Sequence, residues 1–298
     1  MTELLIKNKQ PNYDKIVDVL PLIRRILAPN PSPFTYTGTG TYIIGRKDIG
    51  IIDPGPKIDS HIKNLLNHVN KKSIKYIFIT HTHADHSPAA EIIKKETGAK
   101  TYAYGPYSGS KSNTAFDEGH DTKFQPDIYL TDSSIVESSE WTIKAIHTPG
   151  HTSNHMCYGL ENSSVLFTGD HVMGWATTVI IPPDGNMTKY LESLKKIMNL
   201  KYSTYIPTHG DLISEPKKYV RALITHRKMR ERQILNELQN KKMDISSMVP
   251  KFYSATKKNL WKAAEKSLFA TLLSLEERDM VYCSEKNKIT GYWQLKVK

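Results

Sequence analysis

The sequence predicts an α/β (α+β) fold over residues 1–215, followed by a basic, mostly helical module over residues 216–298. Three observations predict it. Short runs rich in Ile, Val, Thr and Tyr recur through the first part, each closing on a loop that carries His, Asp or Gly. At Pro216 the texture changes to helix. Near the end, two short strand-like runs flank a polar turn.

The runs are Thr41–Ile44, Ile49–Ile52, Tyr76–Thr80, Thr142–His147, Ser164–Thr168 and Thr204–Ile206. Polar residues placed at successive strand ends converge on one edge of a sheet. After Tyr76–Thr80, Ser87 and Pro88 read as the cap and first turn of a helix. From Pro216 an amphipathic pattern runs through Tyr219, Leu223, Ile234, Leu235 and Leu238, studded with Arg221, Arg227, Lys228, Arg230 and Arg232, to an end at Lys241-Lys242. Leu260, Ala264, Leu268, Leu272 and Leu275 then recur at three and four, one apolar helix stripe. Met280–Cys283 and Ile289–Gln294 enclose the turn Glu285-Lys286-Asn287-Lys288, so the tail reads as a winged-helix-like module.

Composition narrows the chemistry. The 298 residues contain no apolar run long enough for a membrane span. Met1–Lys9 lacks an apolar region and a small-residue cleavage site, which argues against an export signal. Only Cys157 and Cys283 occur, without paired spacing, which predicts a reducing cytoplasm and metal ligands of nitrogen and oxygen. Residues 241–298 hold 12 Lys/Arg against 6 Asp/Glu, and the preceding 240 hold 29 against 24. The last fifth therefore supplies +6 of the net +11, a charge that attracts polyanions and is also common on plain solvated surfaces.

The decisive run is His81-Thr82-His83-Ala84-Asp85-His86, between a strand and a helix. His81 and His83 can point together while Asp85 and His86 reach a neighbouring position. One such run cannot close two coordination spheres, because a catalytic zinc takes three protein ligands and a water. Further donors stand at later strand ends: His151 in His147-Thr148-Pro149-Gly150-His151-Thr152, Asp170 in Phe167-Thr168-Gly169-Asp170, and His209 in Pro207-Thr208-His209-Gly210. His147, His155 and His171 are read as non-ligands.

These motifs, in this order, resemble the metallo-β-lactamase superfamily over about the first 215 residues. The resemblance implies a four-layer αββα sandwich, with one metal on His81, His83 and His151 and another on Asp85, His86 and His209. Asp170 would bridge them, and Asp53, in Ile51-Ile52-Asp53-Pro54-Gly55, would support the ligands from behind. A closer resemblance, to the β-lactamase-like protein 2 family, covers nearly the whole chain. It is carried by Asn30-Pro31-Ser32-Pro33-Phe34-Thr35-Tyr36-Thr37-Gly38-Thr39, by Gly169-Asp170 with Thr177-Thr178-Val179, and by Thr225–Leu235. It implies an endoribonuclease acting on single-stranded RNA.

Two zinc ions, or another divalent pair, are the cofactors this reading expects. Zinc brings the pKa of water from about 15.7 to near 7, so a metal-bound hydroxide is the expected nucleophile. Asp85 is the candidate catalytic residue, orienting that hydroxide as well as binding metal. Thr177, Thr178, His226 and Arg227 are candidate substrate contacts, with Trp175–Tyr190 as pocket rim. His226 reads equally as packing between helix and main domain.

The donor set does not choose among phosphodiesters, thioesters and lactams. A β-lactamase is disfavoured by the missing export signal and ligand Cys, and a glyoxalase II-like thioesterase by the basic tail. For RNA stand that tail and the aromatics Trp175, Phe252, Tyr253, Trp261, Tyr292 and Trp293, which could stack on bases or simply pack. Expected partners are single-stranded RNA or a small acyl substrate, with a second copy of the chain as a further candidate and no membrane. A nucleic-acid-binding protein with a vestigial site is disfavoured because no ligand is missing.

Overall fold

The computed structural model describes residues 11–109 and 119–296. Seven strands form the first sheet in chain order: β1 (Val17–Leu20), β2 (Ile23–Leu27), β3 (Gly40–Ile44), β4 (Ile49–Ile52), β5 (Ile74–Phe78), β6 (Lys100–Ala103) and β7 (Ile128–Tyr129). The pairs from β1 to β4 are antiparallel and those from β4 to β7 parallel. Parallel neighbours need a crossover. Helix α1 (Asp59–His68) supplies the one from β4 to β5, and α2 (Ala89–Thr97) the one from β5 to β6.

The second sheet takes β8 (Ile135–Glu137), β9 (Thr142–His147), β10 (Met156–Leu160), β11 (Val165–Gly169) and β12 (Thr204–Pro207), in the order β12-β11-β10-β9-β8. Here the parallel pair is β11 with β12, connected through α3 (Met187–Met198).

Alternation along the strands sorts side chains into layers. Tyr42, Ile44 and Ile52 face the second sheet, where they meet Ile143, Ala145, Tyr158 and Phe167. Ile43 and Ile51, one residue out of phase, meet Ile62 and Leu65 of α1 and Ile93 of α2. On the far face of the second sheet, Ile146, Cys157 and Leu166 pack on Tyr190 and Leu194 of α3. The order helix, sheet, sheet, helix is the metallo-β-lactamase fold.

Helix α4 (Pro216–Leu238) belongs to two cores. Its first half puts Val220, Leu223 and Ile224 against the second sheet. Its last turns put Ile234 and Leu238 against α5 (Ile245–Phe252), α6 (Trp261–Glu277) and the hairpin of β13 (Val281–Cys283) with β14 (Trp293–Leu295). Helix α4 therefore links the two cores, and Ala270 of α6 also reaches the first of them.

Several element ends differ from the sequence expectation, each for a local reason. The strand expected over Tyr76–Thr80 runs instead over Ile74–Phe78, because the Thr80 amide leaves the ladder to donate to Asp53 Oδ1 at 2.8 Å. Ser87 does not cap α2; its hydroxyl donates to Asp121 Oδ2 at 3.0 Å. The last strand begins only at Trp293, whose buried ring fixes the Cys283–Trp293 pairing, while Ile289 stays 44% exposed. Helix α4 stops at Leu238, short of Lys241. Among the described residues no helix is long and apolar enough to cross a membrane.

His61 of α1 is fully buried, its Nε2 3.0 Å from the Pro54 carbonyl and 3.0 Å from Thr41 Oγ1. Burial lowers its pKa to about 4, so the folded chain keeps it neutral while the unfolded chain protonates it near pH 6.5. Protons bind the unfolded state more strongly between those values, so His61 costs stability as pH falls from about 6.5 towards 4. Urea midpoints measured at pH 7 and pH 5 are expected to differ less for His61→Asn than for the natural chain. An equal drop in both would show that His61 carries none of the acid sensitivity.

Candidate metal centre

Four segments deliver the cluster, each from the end of a strand. The loop after β5 carries His81 to His86, the loop after β9 carries His151, Asp170 directly follows β11, and His209 follows β12. The first comes from one sheet and the other three from its partner, so the donors meet where the two sheets abut. All seven side chains are buried.

Their ring nitrogens are aimed by partners behind them. His86 Nδ1 donates to Asp53 Oδ2 at 2.9 Å, His151 Nδ1 to the Val179 carbonyl at 2.8 Å, and His209 Nδ1 to the Gly38 carbonyl at 3.2 Å. The Thr80 hydroxyl spends its proton on Asp53 Oδ2 at 2.7 Å, so it accepts from His81 Nδ1 at 3.0 Å. With Nδ1 so engaged, each of the four rings, when neutral, presents its Nε2 lone pair inward. Lone pairs and carboxylates facing one another repel unless a cation or protons lie between them.

The distances suit a cation. His83 Nδ1 lies 2.9 Å from His81 Nε2 and 3.2 Å from His151 Nε2. His209 Nε2 lies 3.2 Å from Asp85 Oδ2 and 3.3 Å from Asp170 Oδ2, and His86 Nε2 is 3.4 and 3.5 Å from the same two oxygens. A tetrahedral metal with bonds of about 2.0–2.2 Å sets its donors about 3.3–3.6 Å apart. Three overlapping groups can each hold a metal: His81, His83 and His151; His81, His86 and Asp170; and Asp85, His86 and His209. Asp85 Oδ1, Asp170 Oδ1, His86 Nε2 and His209 Nε2 are buried without a hydrogen-bond partner, an arrangement native proteins rarely tolerate without a ligand.

Electrostatics divides the cluster. Burial, and then the neighbouring His86, His83 and His151, hold His81 well below the usual histidine range. Burial also works to lower His86 and His209, but Asp85 and Asp170 outweigh it and raise both well above that range. Against burial, which would raise it, His209 and His86 hold Asp170 far below the usual carboxylate range. One end of the site is thus all imidazole, and the other pairs imidazole with carboxylate.

Asp53 is the hub behind this wall. Fully buried, it also accepts from Thr208 Oγ1 at 3.1 Å, and its own backbone sits at φ 48°. That left-handed conformation is uncommon outside glycine but accessible to Asp. Thr39, which sequence reasoning missed, donates to Asp85 Oδ2 at 2.8 Å. His120 was missed too: its ring lies 4.7 Å from that of His83 and stacks on Tyr107 at 3.7 Å. Thr39 closes the Asn30–Thr39 segment but lies 46 residues from Asp85, and His120 stands in no motif, so only the fold brings either to the cluster. His155, expected not to bind metal, lies outside the metal-competent groups; its Nε2 accepts from the Asp170 amide at 3.2 Å. His147 and His171 also lie outside those groups.

A cavity of about 260 Å³ opens from His151 and Asp170 towards α6. Thr177, Thr178, His226 and Arg227 all line it. Thr178 and Arg227 are engaged inward, the Thr178 hydroxyl donating to the Asp170 carbonyl at 2.7 Å and Arg227 Nη2 to the Thr178 carbonyl. Of the aromatics, Trp175 and Tyr253 line the cavity, whereas Trp293 is core and Tyr292 is half exposed.

A fold of this kind, with histidines and aspartates converging between the sheets, defines a metal-dependent hydrolase, and the Metallo-beta-lactamase superfamily model matches residues 38–209. The chain belongs to that superfamily. Within it, the chain is a member of the beta-lactamase-like protein 2 family: it is 30% identical over 273 residues to the Drosophila melanogaster "Beta-lactamase-like protein 2 homolog", covering 88% of this chain and 90% of the relative. It is also 28% identical over 264 residues to the "Atrochrysone carboxyl ACP thioesterase" of Claviceps purpurea, covering 83% and 78% of the two chains. Among solved structures, a beta-lactamase domain protein from Burkholderia ambifaria superposes with a TM-score of 0.81 at 16% identity, covering 97% and 96%.

Proposed function

We propose that the chain is a dinuclear zinc hydrolase that cleaves single-stranded RNA internally. The observation that carries this reading is the cavity beside the metal cluster. Phe34, Trp175 and Tyr253 line it, and it is large enough for one unstacked base. Its wall continues from Thr256 into the exposed Lys257 and Lys258, and Arg230 lies 4.2 Å over the Tyr253 ring. A base in the cavity and a backbone along those cations would bring the adjoining phosphodiester to His151 and Asp170. A duplex keeps its bases stacked, so the pocket suits single strands.

His81, His83 and His151 would hold one zinc and Asp85, His86 and His209 the other, with Asp170 shared between them. When bound, the pair supplies Lewis acidity and a water acidic enough to attack near neutral pH. Thr39 pins one oxygen of Asp85, which leaves Oδ1 to orient the incoming water.

A second reading has its own support. Leu260, Ala263 and Ala264 give the cavity an apolar end suited to a compact acyl group, and one relative is named a thioesterase. Protein of measured metal content, assayed on single-stranded RNA, an acyl thioester and a chromogenic lactam, separates the two. RNA cleavage is expected, lost in Asp85→Ala and weakened about 5- to 150-fold in kcat/KM by Tyr253→Ala, the worth of one base stack. Thioester turnover that Asp85→Ala abolishes, without RNA cleavage by the natural chain, would replace the nuclease reading.

A further inference from the structure

Residues 178–180 run between the metal cluster and the C-terminal helices, and they bond to both sides. Towards the cluster, the Thr178 hydroxyl donates to the Asp170 carbonyl at 2.7 Å, and the Val179 carbonyl accepts from His151 Nδ1 at 2.8 Å. Away from it, the Thr178 carbonyl accepts from Arg227 of α4, and the Ile180 amide donates to Ser267 Oγ of α6 at 3.3 Å. One short strap thus touches donors from both ends of the cluster and two helices of the C-terminal module.

Arg227 is an expensive way to hold a strap. It is 6% exposed, and its guanidinium donates to a peptide carbonyl rather than to a carboxylate. Its charge is met by a peptide carbonyl and by the Tyr190 ring, 5.6 Å away. Burying a guanidinium with so little compensation is a poor route to stability. Groups that aim metal ligands from behind are, by contrast, sensitive to small displacements.

We propose that Arg227 and Ser267 are positioning residues, through which the C-terminal helices orient His151 and Asp170 and set the affinity of the cluster for metal. The proposal rests on reading those two residues as ligands. It gives the module a role at the metal centre whatever the substrate.

Cobalt(II) titration of the metal-free full chain tests it, followed by visible absorption. Arg227→Met is expected to weaken Co2+ binding about 10- to 100-fold and to alter the visible band. Thr178→Val, which exchanges the hydroxyl for a methyl group, is expected to act in the same direction, while Thr178→Ser retains the natural affinity. Because both residues act through one strap, the double variant should bind no more than about twofold more weakly than the worse single variant. The melting temperature of each metal-free variant records general destabilisation separately. Natural affinity and spectrum in Arg227→Met, or effects that multiply in the double variant, would overturn the proposal. Should Arg227→Met fail to fold, Thr178→Val and Ser267→Ala decide it, natural affinity in both being the overturning result. Failure of the natural chain to bind Co2+ would instead remove the metal reading itself.

Discussion

Asp170→Asn is expected to lower the rate of hydrolysis about 1000-fold or more and to reduce the metal content of the purified chain. The carboxylate Oδ2 stands 3.3 Å from His209 Nε2, 3.5 Å from His86 Nε2 and 4.0 Å from His151 Nε2, which places one negative charge between the two halves of the cluster. An amide keeps the shape and removes that charge. Stabilisation of transition-state charge by a metal is worth several kcal/mol, and each 1.36 kcal/mol is tenfold in rate. The fold should survive, because the loop is held through its backbone: the Asp170 amide donates to His155 and its carbonyl accepts from Thr178. Metal analysis by mass spectrometry, beside the rate, checks both parts. Natural metal content and natural rate in this variant would take Asp170 out of the site.

Removing the metal is expected to lower the melting temperature by about 10 °C. A ligand present at about 1000 times its dissociation constant stabilises the native state by about 4 kcal/mol, and about 2–4 °C is gained per kcal/mol in large domains. The metal-free cluster also retains buried atoms without partners, among them Asp85 Oδ1 and Asp170 Oδ1. Histidine ligands must be neutral to bind, so the difference should narrow as the pH falls. Differential scanning fluorimetry with and without a chelator, and after zinc is restored, measures it. A melting temperature indifferent to chelation would show that the cluster holds no metal of consequence to the fold.

How far the sequence reached can be judged residue by residue. His81 to His86 was legible because four donors fall in six residues, a density that chance seldom supplies. His151, Asp170 and His209 were legible because each sits at the turn after a strand, where alternation in the apolar pattern ends abruptly. The layers came only with the family resemblance, since Ile43 and Ile44 are both apolar and yet go to opposite faces. What stayed hidden depends on long-range contact. Thr39 meets Asp85 only after the first sheet has formed, and His120 meets His83 only across a loop. Thr178 and Arg227 were chosen as substrate contacts from motif resemblance, and no local pattern reveals that a hydroxyl and a guanidinium turn inward to the backbone. Helix ends failed where a side chain found a distant partner better than the nearest amide, as Ser87 does in Asp121.

The donors that meet between the sheets give the metal a mechanical meaning besides the chemical one. His81, His83, Asp85 and His86 hang from one half of the sandwich, and His151, Asp170 and His209 from the other. A bound ion therefore rivets the two halves at the rim, much as a covalent cross-link would, in a chain whose two cysteines are separate and free. Such a rivet restricts the unfolded chain as well as the folded one only if it survives unfolding. Unfolding separates His81 to His86 from His151, Asp170 and His209, so the ion's contribution falls mainly on keeping the rim closed.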